Sequence, residues 1–213
     1  MAIFTWHEIG DTPASPGVYA WYYTPEITAF DLENIINEIE ELLKLGESSA
    51  AKAVVKAFLE KRVFQYFEEQ PYEAQLRGPL KPRYEGRIHH VPVLSDSMLE
   101  RILEDPRRLV TIRSVLAASA PEFASPIYIG MSDCLRVRLR RHKSLIEKFG
   151  EISGPQPQEG TQRDYTFARE IRARKIPPSR LFVITRIIND APGTYIDIEN
   201  ILNRIHCPLL GRN

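Results

Sequence analysis

The sequence predicts an α/β domain in which a small sheet of three short strands is flanked by helices. Three β-favouring runs supply the strands: residues 17–23 (GVYAWYY), 126–130 (PIYIG) and 181–188 (LFVITRII). Stretches with apolar residues at helical spacing lie between and after these runs. The chain has 213 residues, of which 43% are hydrophobic and 26% charged, so it is long and apolar enough to bury a substantial core.

A mainly helical insertion, residues 24–125, separates the first two strands. Residues 29–69 carry two helical patterns, and residues 96–118 carry a further one that breaks at Asp105–Pro106. Residues 71–95 instead contain repeated prolines, basic side chains and tyrosines, which predicts an extended or hairpin-like excursion.

Three helices are predicted after the second strand, at about residues 133–149, 164–175 and 195–206. Ser132 is a favourable N-cap for the first of them. A polar loop rich in glycine and proline, residues 150–163, then leads to the second. The last helix has a predicted buried face formed by Ile198, Ile201, Leu202 and Ile205. Glu199 projects from the edge of that face.

The net charge is zero, but the charges are unevenly distributed. Residues 1–125 hold 13 basic and 19 acidic side chains, whereas residues 126–213 hold 15 basic and 9 acidic ones. This asymmetry fits either a polyanion-binding region in the second part or a solvated basic face. Composition alone does not separate these two interpretations.

Several protein classes are excluded by composition. No run of 18 apolar residues could span a membrane, and the N-terminus lacks the basic and apolar segments of a signal peptide. The two cysteines, Cys134 and Cys207, provide neither a zinc quartet nor a disulfide framework. The expectation is therefore a cytoplasmic protein.

Two tripeptides on the predicted strands precede a set of polar residues in a specific order. Gly17–Val18–Tyr19 lies on the first strand and Tyr128–Ile129–Gly130 on the second. The second tripeptide is followed by Ser132, Leu135, Arg138 and His142. Further on come the helical Glu199, then Pro208 and Asn213. In this order the chain resembles the GIY-YIG nuclease family over residues 16–23 and 126–213.

The resemblance implies a narrower fold and a domain organisation. The fold is a small, mainly antiparallel three-stranded sheet flanked by helices, with the large helical insertion between the two motif strands. Residues 1–213 then form a single nuclease domain, with a core of residues 14–23 and 126–213 and the insertion at 24–125. The family usually joins these two strands by a short hairpin loop, whereas about 105 residues intervene here.

The resemblance also implies metal-dependent cleavage of DNA phosphodiester bonds and a set of catalytic positions. These positions are Tyr19, Tyr128, Arg138, His142, Glu199 and Asn213. Glu199 supplies a hard oxygen ligand, and Mg²⁺ (or Mn²⁺) is commonly held by one or two carboxylates together with waters and substrate oxygens. Arg138 can clamp a phosphate bidentately and stabilise the charge that develops in the transition state.

The remaining catalytic positions have less specific roles. Tyr19 is the expected general base, because a metal ion and nearby arginines would lower its phenol pKa from about 10. His142, one helical turn after Arg138, either orients a tyrosine or shares the proton, or is an ordinary boundary histidine. A covalent phosphotyrosine intermediate is the alternative to a base mechanism. Asn213, or a neighbour of it, either holds a phosphate or the end of the Glu199 helix, or Asn213 is part of a frayed terminus.

Basic side chains on the helices and in the insertion are candidates for DNA binding. The candidates are Arg136, Arg140 and Lys143 on one helix, Arg169 and Arg172 on the next, and Lys81, Arg83 and Arg87 in the insertion. Those on the helices suit contacts to the phosphate backbone, which give affinity without sequence information. The basic, aromatic segment 77–90 is the candidate for reading a groove.

The most concrete expectation is a compact type II restriction or defence endonuclease. By analogy it would act as a homodimer on double-stranded DNA, with a companion methyltransferase as a further partner. Three alternatives stay open: a structure-specific repair nuclease, a non-catalytic nucleic-acid-binding protein, and an assembly module whose acidic helices bind a partner. DNA versus RNA preference is also open at this point.

Overall fold

The computed structural model describes residues 2–67, 71–76, 78, 84–88, 93–148, 162–189 and 193–211. The chain divides into two compact units, one made of residues 1–26 and 114–213 and the other of residues 27–113. The described part has an α/β fold with seven α-helices, a four-stranded antiparallel sheet and a separate two-stranded hairpin. None of the described helices combines the length and apolar composition needed to cross a membrane.

The strands are β1 (Ala2–Thr5), β2 (Gly17–Tyr23), β3 (Tyr72–Leu76), β4 (Tyr84–Ile88), β5 (Tyr128–Ser132) and β6 (Leu181–Ile187). The helices are α1 (Ala29–Lys44), α2 (Ser48–Leu59), α3 (Asp96–Glu104), α4 (Arg108–Phe123), α5 (Leu135–Lys148), α6 (Gln162–Ala173) and α7 (Thr194–His206). The three predicted strands and the three C-terminal helices are confirmed within a few residues at each end.

The main sheet has the strand order β1-β6-β2-β5, and every neighbouring pair is antiparallel. The predicted count of three strands is wrong, because β1 adds a fourth strand next to β6. Its four residues are too short a run to signal a strand in the sequence. Their extended conformation is stabilised by pairing with β6, in which Ile3 lies opposite Ile184.

The two faces of this sheet are covered by different helices. Residues opposite each other in paired strands face the same side, so Tyr19, Trp21 and Tyr128 lie together on one face. Their rings contact His142 of α5 and Phe167 of α6 on that face. Helix α7 packs along β2 and β5, where Leu202 lines a pocket with Val18, Ala20 and Ile129. These last three residues alternate with Tyr19 and Tyr128 and so lie on the opposite face.

The start of α5 is held by backbone contacts rather than by the predicted serine cap. The hydroxyl of Ser132 accepts a hydrogen bond from the Cys134 N–H, but helical residues begin only at Leu135, so Cys134 occupies the cap position. The first free N–H groups of the helix, at Leu135 and Arg136, instead donate to the carbonyl groups of Ser15 and Pro13.

The second unit is built around its own apolar core. Helix α1 begins with a capping box between Thr28 and Asp31, and its buried face packs with those of α2 and α3. The helical stretch breaks before Pro106 as predicted, which separates α3 from α4. Strands β3 and β4 pair antiparallel, which confirms the predicted hairpin-like excursion.

Both glycines of the two tripeptides lie where a side chain would collide with a neighbour. A Cβ atom at Gly17 would stand 2.2 Å from the Arg186 carbonyl oxygen of the paired strand. A Cβ atom at Gly130 would stand 2.5 Å from the Tyr19 hydroxyl oxygen and 3.0 Å from the Tyr128 ring. Gly130 therefore leaves the space in which the Tyr19 ring crosses β5.

We expect Gly130→Ala to lower the free energy of unfolding by about 1–3 kcal/mol, the usual cost of forcing extra atoms into a packed core. Urea denaturation followed by circular dichroism would measure the change. Gly86→Ala in β4 is the matched control, because a Cβ atom there meets nothing within 4 Å. Equal stability losses in the two variants would contradict the steric explanation.

Candidate functional site

Four of the sequence-predicted site residues meet on one face of the main sheet. The Tyr19 hydroxyl lies 3.3 Å from the Arg138 Nε, which donates to it, and 3.4 Å from the His142 Nε2. The Tyr19 and Tyr128 rings are 6.2 Å apart, and both pack against the His142 ring. Tyr19 and His142 are almost completely buried, whereas the Arg138 side chain is 25% exposed. Arg138 is thus the charged group of this cluster that reaches solvent.

A fifth residue, Asp164, joins this cluster and was missed by the sequence reasoning. It lies in the first turn of α6, and its carboxylate is fully buried. Its Oδ1 is 2.6 Å from an Arg138 guanidinium nitrogen and 2.9 Å from the His142 Nε2, and its Oδ2 is 3.4 Å from the Arg141 Nε. An acidic residue in the first turn of a helix is common on protein surfaces, so the sequence carried no signal of this burial.

The hydrogen bonds around His142 determine which ring nitrogen carries the proton. The Trp21 indole N–H can only donate, and it lies 3.2 Å from the His142 Nδ1. Nδ1 is therefore the acceptor, and the proton of the neutral ring is on Nε2, which donates to the Asp164 carboxylate. In this tautomer the nitrogen that faces the Tyr19 hydroxyl, Nε2, has no lone pair with which to accept a proton, and the lone pair of Nδ1 is occupied by the Trp21 N–H.

Burial dominates the acid–base properties of the two tyrosines. It raises the pKa of Tyr19 well above its usual value, the Tyr128 phenol adds to this rise, and Arg138 opposes it. The expected lowering of the Tyr19 pKa by a nearby arginine is therefore present, but burial outweighs it, and the effect of a metal ion stays a prediction. Both phenols are therefore neutral at pH 7, and a metal ion next to the Tyr19 oxygen would act in the same direction as Arg138, lowering the Tyr19 pKa.

Glu199 lines a separate cleft that begins at Tyr128. The cleft has a volume of about 210 Å³ and is lined by Tyr128, Ile129, Thr166, Glu199, Asn200, Asn203, Leu210 and Gly211. The Asn203 amide donates to the Glu199 side-chain oxygen Oε1 at 2.7 Å and to its backbone carbonyl at 3.0 Å. Asn203, which the sequence reasoning also missed, thereby holds the carboxylate in one orientation.

Tyr128 connects the cleft to the tyrosine cluster. Burial raises the Tyr128 pKa first of all, Arg138 lowers it, and the negative charges of Asp164 and Glu199 raise it further. Arg138 and Glu199 therefore both act electrostatically on one phenol, although they lie on helices that pack on opposite faces of the sheet.

The predicted buried face of α7 is only partly confirmed. Ile198 and Leu202 are half-buried, but Ile201 and Ile205 are 56% and 66% exposed. Helix α7 packs on the sheet with the side that also carries Glu199. The prediction from the helical period alone therefore assigned the wrong side of this helix as buried. The chain after α7 turns back to the sheet, where the Leu210 N–H donates to the Ile127 carbonyl. Asn213 lies outside the described residues.

The predicted DNA-binding residues on α5 make hydrogen bonds within the chain. Arg136 donates to the Thr12 carbonyl at 2.6 Å, Arg140 to that of Gly10 at 2.8 Å, and Lys143 to that of Trp6 at 3.0 Å. These bonds fasten the N-terminal segment onto α5, which is a structural role. Phosphate contacts by their remaining N–H groups stay a prediction.

The other predicted DNA-binding residues differ in their surroundings. Arg172 donates to the Ile146 carbonyl at the end of α5, whereas Arg169 is 69% exposed beside Glu170. Arg87, on the exposed hairpin, lies 3.9 Å from Glu73. Lys81 and Arg83 lie outside the described residues.

Glu199 is the candidate ligand for a metal ion. The described residues contain no group of three or more histidine, cysteine, aspartate and glutamate side chains that could enclose a metal. A single carboxylate in an open cleft fits a hard cation such as Mg²⁺, which keeps most of its waters and binds few protein groups. The donor set therefore fits magnesium better than a transition metal held by several nitrogen or sulfur ligands.

We expect stability to fall as the pH is lowered from about 7 towards 5, because burial lowers the pKa of His142 despite the opposing effect of Asp164. As the pH is lowered, His142 of the unfolded chain takes up a proton near pH 6.5, whereas His142 of the folded protein does so only at a lower pH. Unfolding is therefore favoured below about pH 6.5. Urea denaturation at several pH values would measure the free energy of unfolding as a function of pH. We expect a smaller dependence on pH in His142→Gln, and an unchanged dependence in that variant would contradict the role of His142.

Comparisons of the chain with known proteins find no matching family model, no matching curated protein and no matching solved structure.

Proposed function

We propose that this protein is a metal-dependent endonuclease of the GIY-YIG type that hydrolyses DNA phosphodiester bonds, as a type II restriction or defence enzyme does. The observation that carries the proposal is that Tyr128 lines one cleft with Glu199 and packs beside Tyr19, whose hydroxyl accepts from Arg138. Hydrolysis of a phosphodiester needs a cation-binding carboxylate, a cationic clamp for the phosphate and a group that orients the attacking water.

Each residue has a chemical task in this proposal. Glu199, oriented by Asn203, would hold Mg²⁺ or Mn²⁺ at the cleft, and the bound ion would supply Lewis-acid charge stabilisation. Arg138 reaches solvent and would bind the phosphate with the guanidinium edge that Asp164 leaves available. The Tyr19 and Tyr128 phenols can accept a hydrogen bond from the attacking water through an oxygen lone pair, or donate one to a phosphate oxygen.

The first experiment is incubation of the purified protein with phage and plasmid DNA, once with Mg²⁺ and once with EDTA. Discrete bands that disappear with EDTA support a site-specific endonuclease, and mapping of their ends gives the recognition site. A smear supports a nonspecific or damage-directed nuclease. If neither duplex is cut, flap and branched substrates follow, and failure on all of them in the presence of Mg²⁺ or Mn²⁺ contradicts the proposal.

A further inference from the structure

The most unusual group in the first unit is the carboxylate of Asp164. It is fully buried at the start of α6, and its two oxygens face the Arg138 and Arg141 guanidinium groups and the His142 ring. Burying a charge costs several kcal/mol in desolvation, which its partners must offset, and an apolar core would stabilise a fold equally well. The contacts therefore indicate that the role of the Asp164 carboxylate is to orient the side chains that it binds.

The same oxygen atom of Asp164 serves two of the predicted catalytic residues. Oδ1 accepts from the Arg138 guanidinium at 2.6 Å and from the His142 Nε2 at 2.9 Å. The Arg138 Nε is thereby directed at the Tyr19 hydroxyl, 3.3 Å away. One buried atom thus sets both the direction of the phosphate clamp and the tautomer of the histidine.

On the basis of the nuclease function proposed above, we propose that Asp164 is a positioning residue: it holds Arg138 in place for phosphate binding and keeps His142 as a hydrogen-bond donor. His142 consequently does not act as the general base. Trp21 secures the arrangement from the other side, because its indole N–H occupies the His142 Nδ1.

The tautomer of His142 can be measured on the unmodified protein. Long-range ¹H–¹⁵N NMR correlation spectra at pH 7, with His142→Gln for assignment, distinguish a protonated from an unprotonated ring nitrogen. We expect protonated Nε2 and unprotonated Nδ1. The opposite tautomer, or a doubly protonated ring, would overturn the proposal without touching the nuclease assignment.

The positioning role is tested by Asp164→Asn, which keeps the shape of the side chain but removes its charge. We expect kcat for DNA cleavage to fall about 100-fold, the size expected when a catalytic group is misplaced by about 1 Å, with a smaller change in KM. The His142 resonances should shift in the same variant. Asp133→Asn, an exposed aspartate just before α5, is the matched control and should cleave like the unmodified protein.

Two further outcomes keep the proposals distinguishable. If the unmodified protein cleaves DNA and Asp164→Asn cleaves at the same rate with the same KM, the positioning role is wrong while the nuclease function stands. If Asp164→Asn does not fold, Asp164→Glu replaces it, because it keeps the charge but moves it by one methylene. An unchanged kcat in that variant would also overturn the positioning role.

Discussion

Replacement of Glu199 by glutamine is expected to reduce metal-dependent DNA cleavage at least about 100-fold. Lewis-acid stabilisation by a bound divalent ion contributes several kcal/mol, and each 1.4 kcal/mol corresponds to a tenfold change in rate. Glutamine still offers an oxygen to the Asn203 amide, so the hydrogen bond that orients this side chain is retained. The loss should therefore come from the missing charge rather than from a rearranged helix.

The Glu199 prediction is measured as single-turnover cleavage over a range of Mg²⁺ concentrations. Asp197→Asn is the matched control, because it removes one negative charge from the exposed side of the same helix. We expect that control to keep its rate and its Mg²⁺ dependence. Cleavage by Glu199→Gln at the normal rate would contradict the metal site, and equal losses in both variants would point to a general charge effect.

Arg138→Lys is the second change with a large expected effect, about 100-fold or more on kcat/KM. Lysine keeps the positive charge but loses the planar fork that binds the Asp164 carboxylate and the Tyr19 hydroxyl and that, in the proposed mechanism, would bind a phosphate. Removing one preorganised donor to a developing negative charge typically costs 10²–10³-fold. The buried Asp164 carboxylate also loses part of its compensation, so the free energy of unfolding should decrease.

Arg141→Lys separates the catalytic from the structural part of this prediction. Arg141 contacts the same carboxylate from the same helix at 3.4 Å, but no structural contact connects it to either tyrosine of the site. We expect a rate close to that of the unmodified protein and a small loss of stability, which denaturation would measure. If Arg141→Lys loses as much activity as Arg138→Lys, the phosphate clamp is assigned to the wrong residue.

Most of the secondary structure of the first unit could be predicted because local pattern and tertiary environment agree there. The aromatic run of β2 and the apolar residues of β5 and β6 are buried as strands, and Leu135, Leu139, His142 and Ile146 form the buried side of α5. The spacing of Arg138 and His142 predicted that both lie on one face of that helix, and the structure brings this face next to Tyr19. The metal, substrate and partner predictions remain proposals that the experiments above test.

Other features depended on contacts that no local pattern encodes. Strand β1 is extended because β6 offers a free edge, and α5 begins where the segment around Pro13 accepts its N–H groups. The stripe of Arg136, Arg140 and Lys143 had the spacing of a DNA-binding surface, yet these side chains find carbonyl partners in the N-terminal segment. Spacing places side chains on one face of a helix but does not identify what lies opposite.

The sequence by itself determined three of the four strands of the main sheet, the helices and the positions of Tyr19, Tyr128, Arg138, His142 and Glu199. Side-chain periodicity and short motifs are local properties of the chain. Only the tertiary structure decided that Asp164 is buried between two arginines and that Asn203 orients Glu199. It also decided that burial raises the pKa of both tyrosines above the ordinary phenol value. The physical reason is that desolvation and hydrogen-bond partners depend on which distant segments meet, and the pKa of each group follows from them.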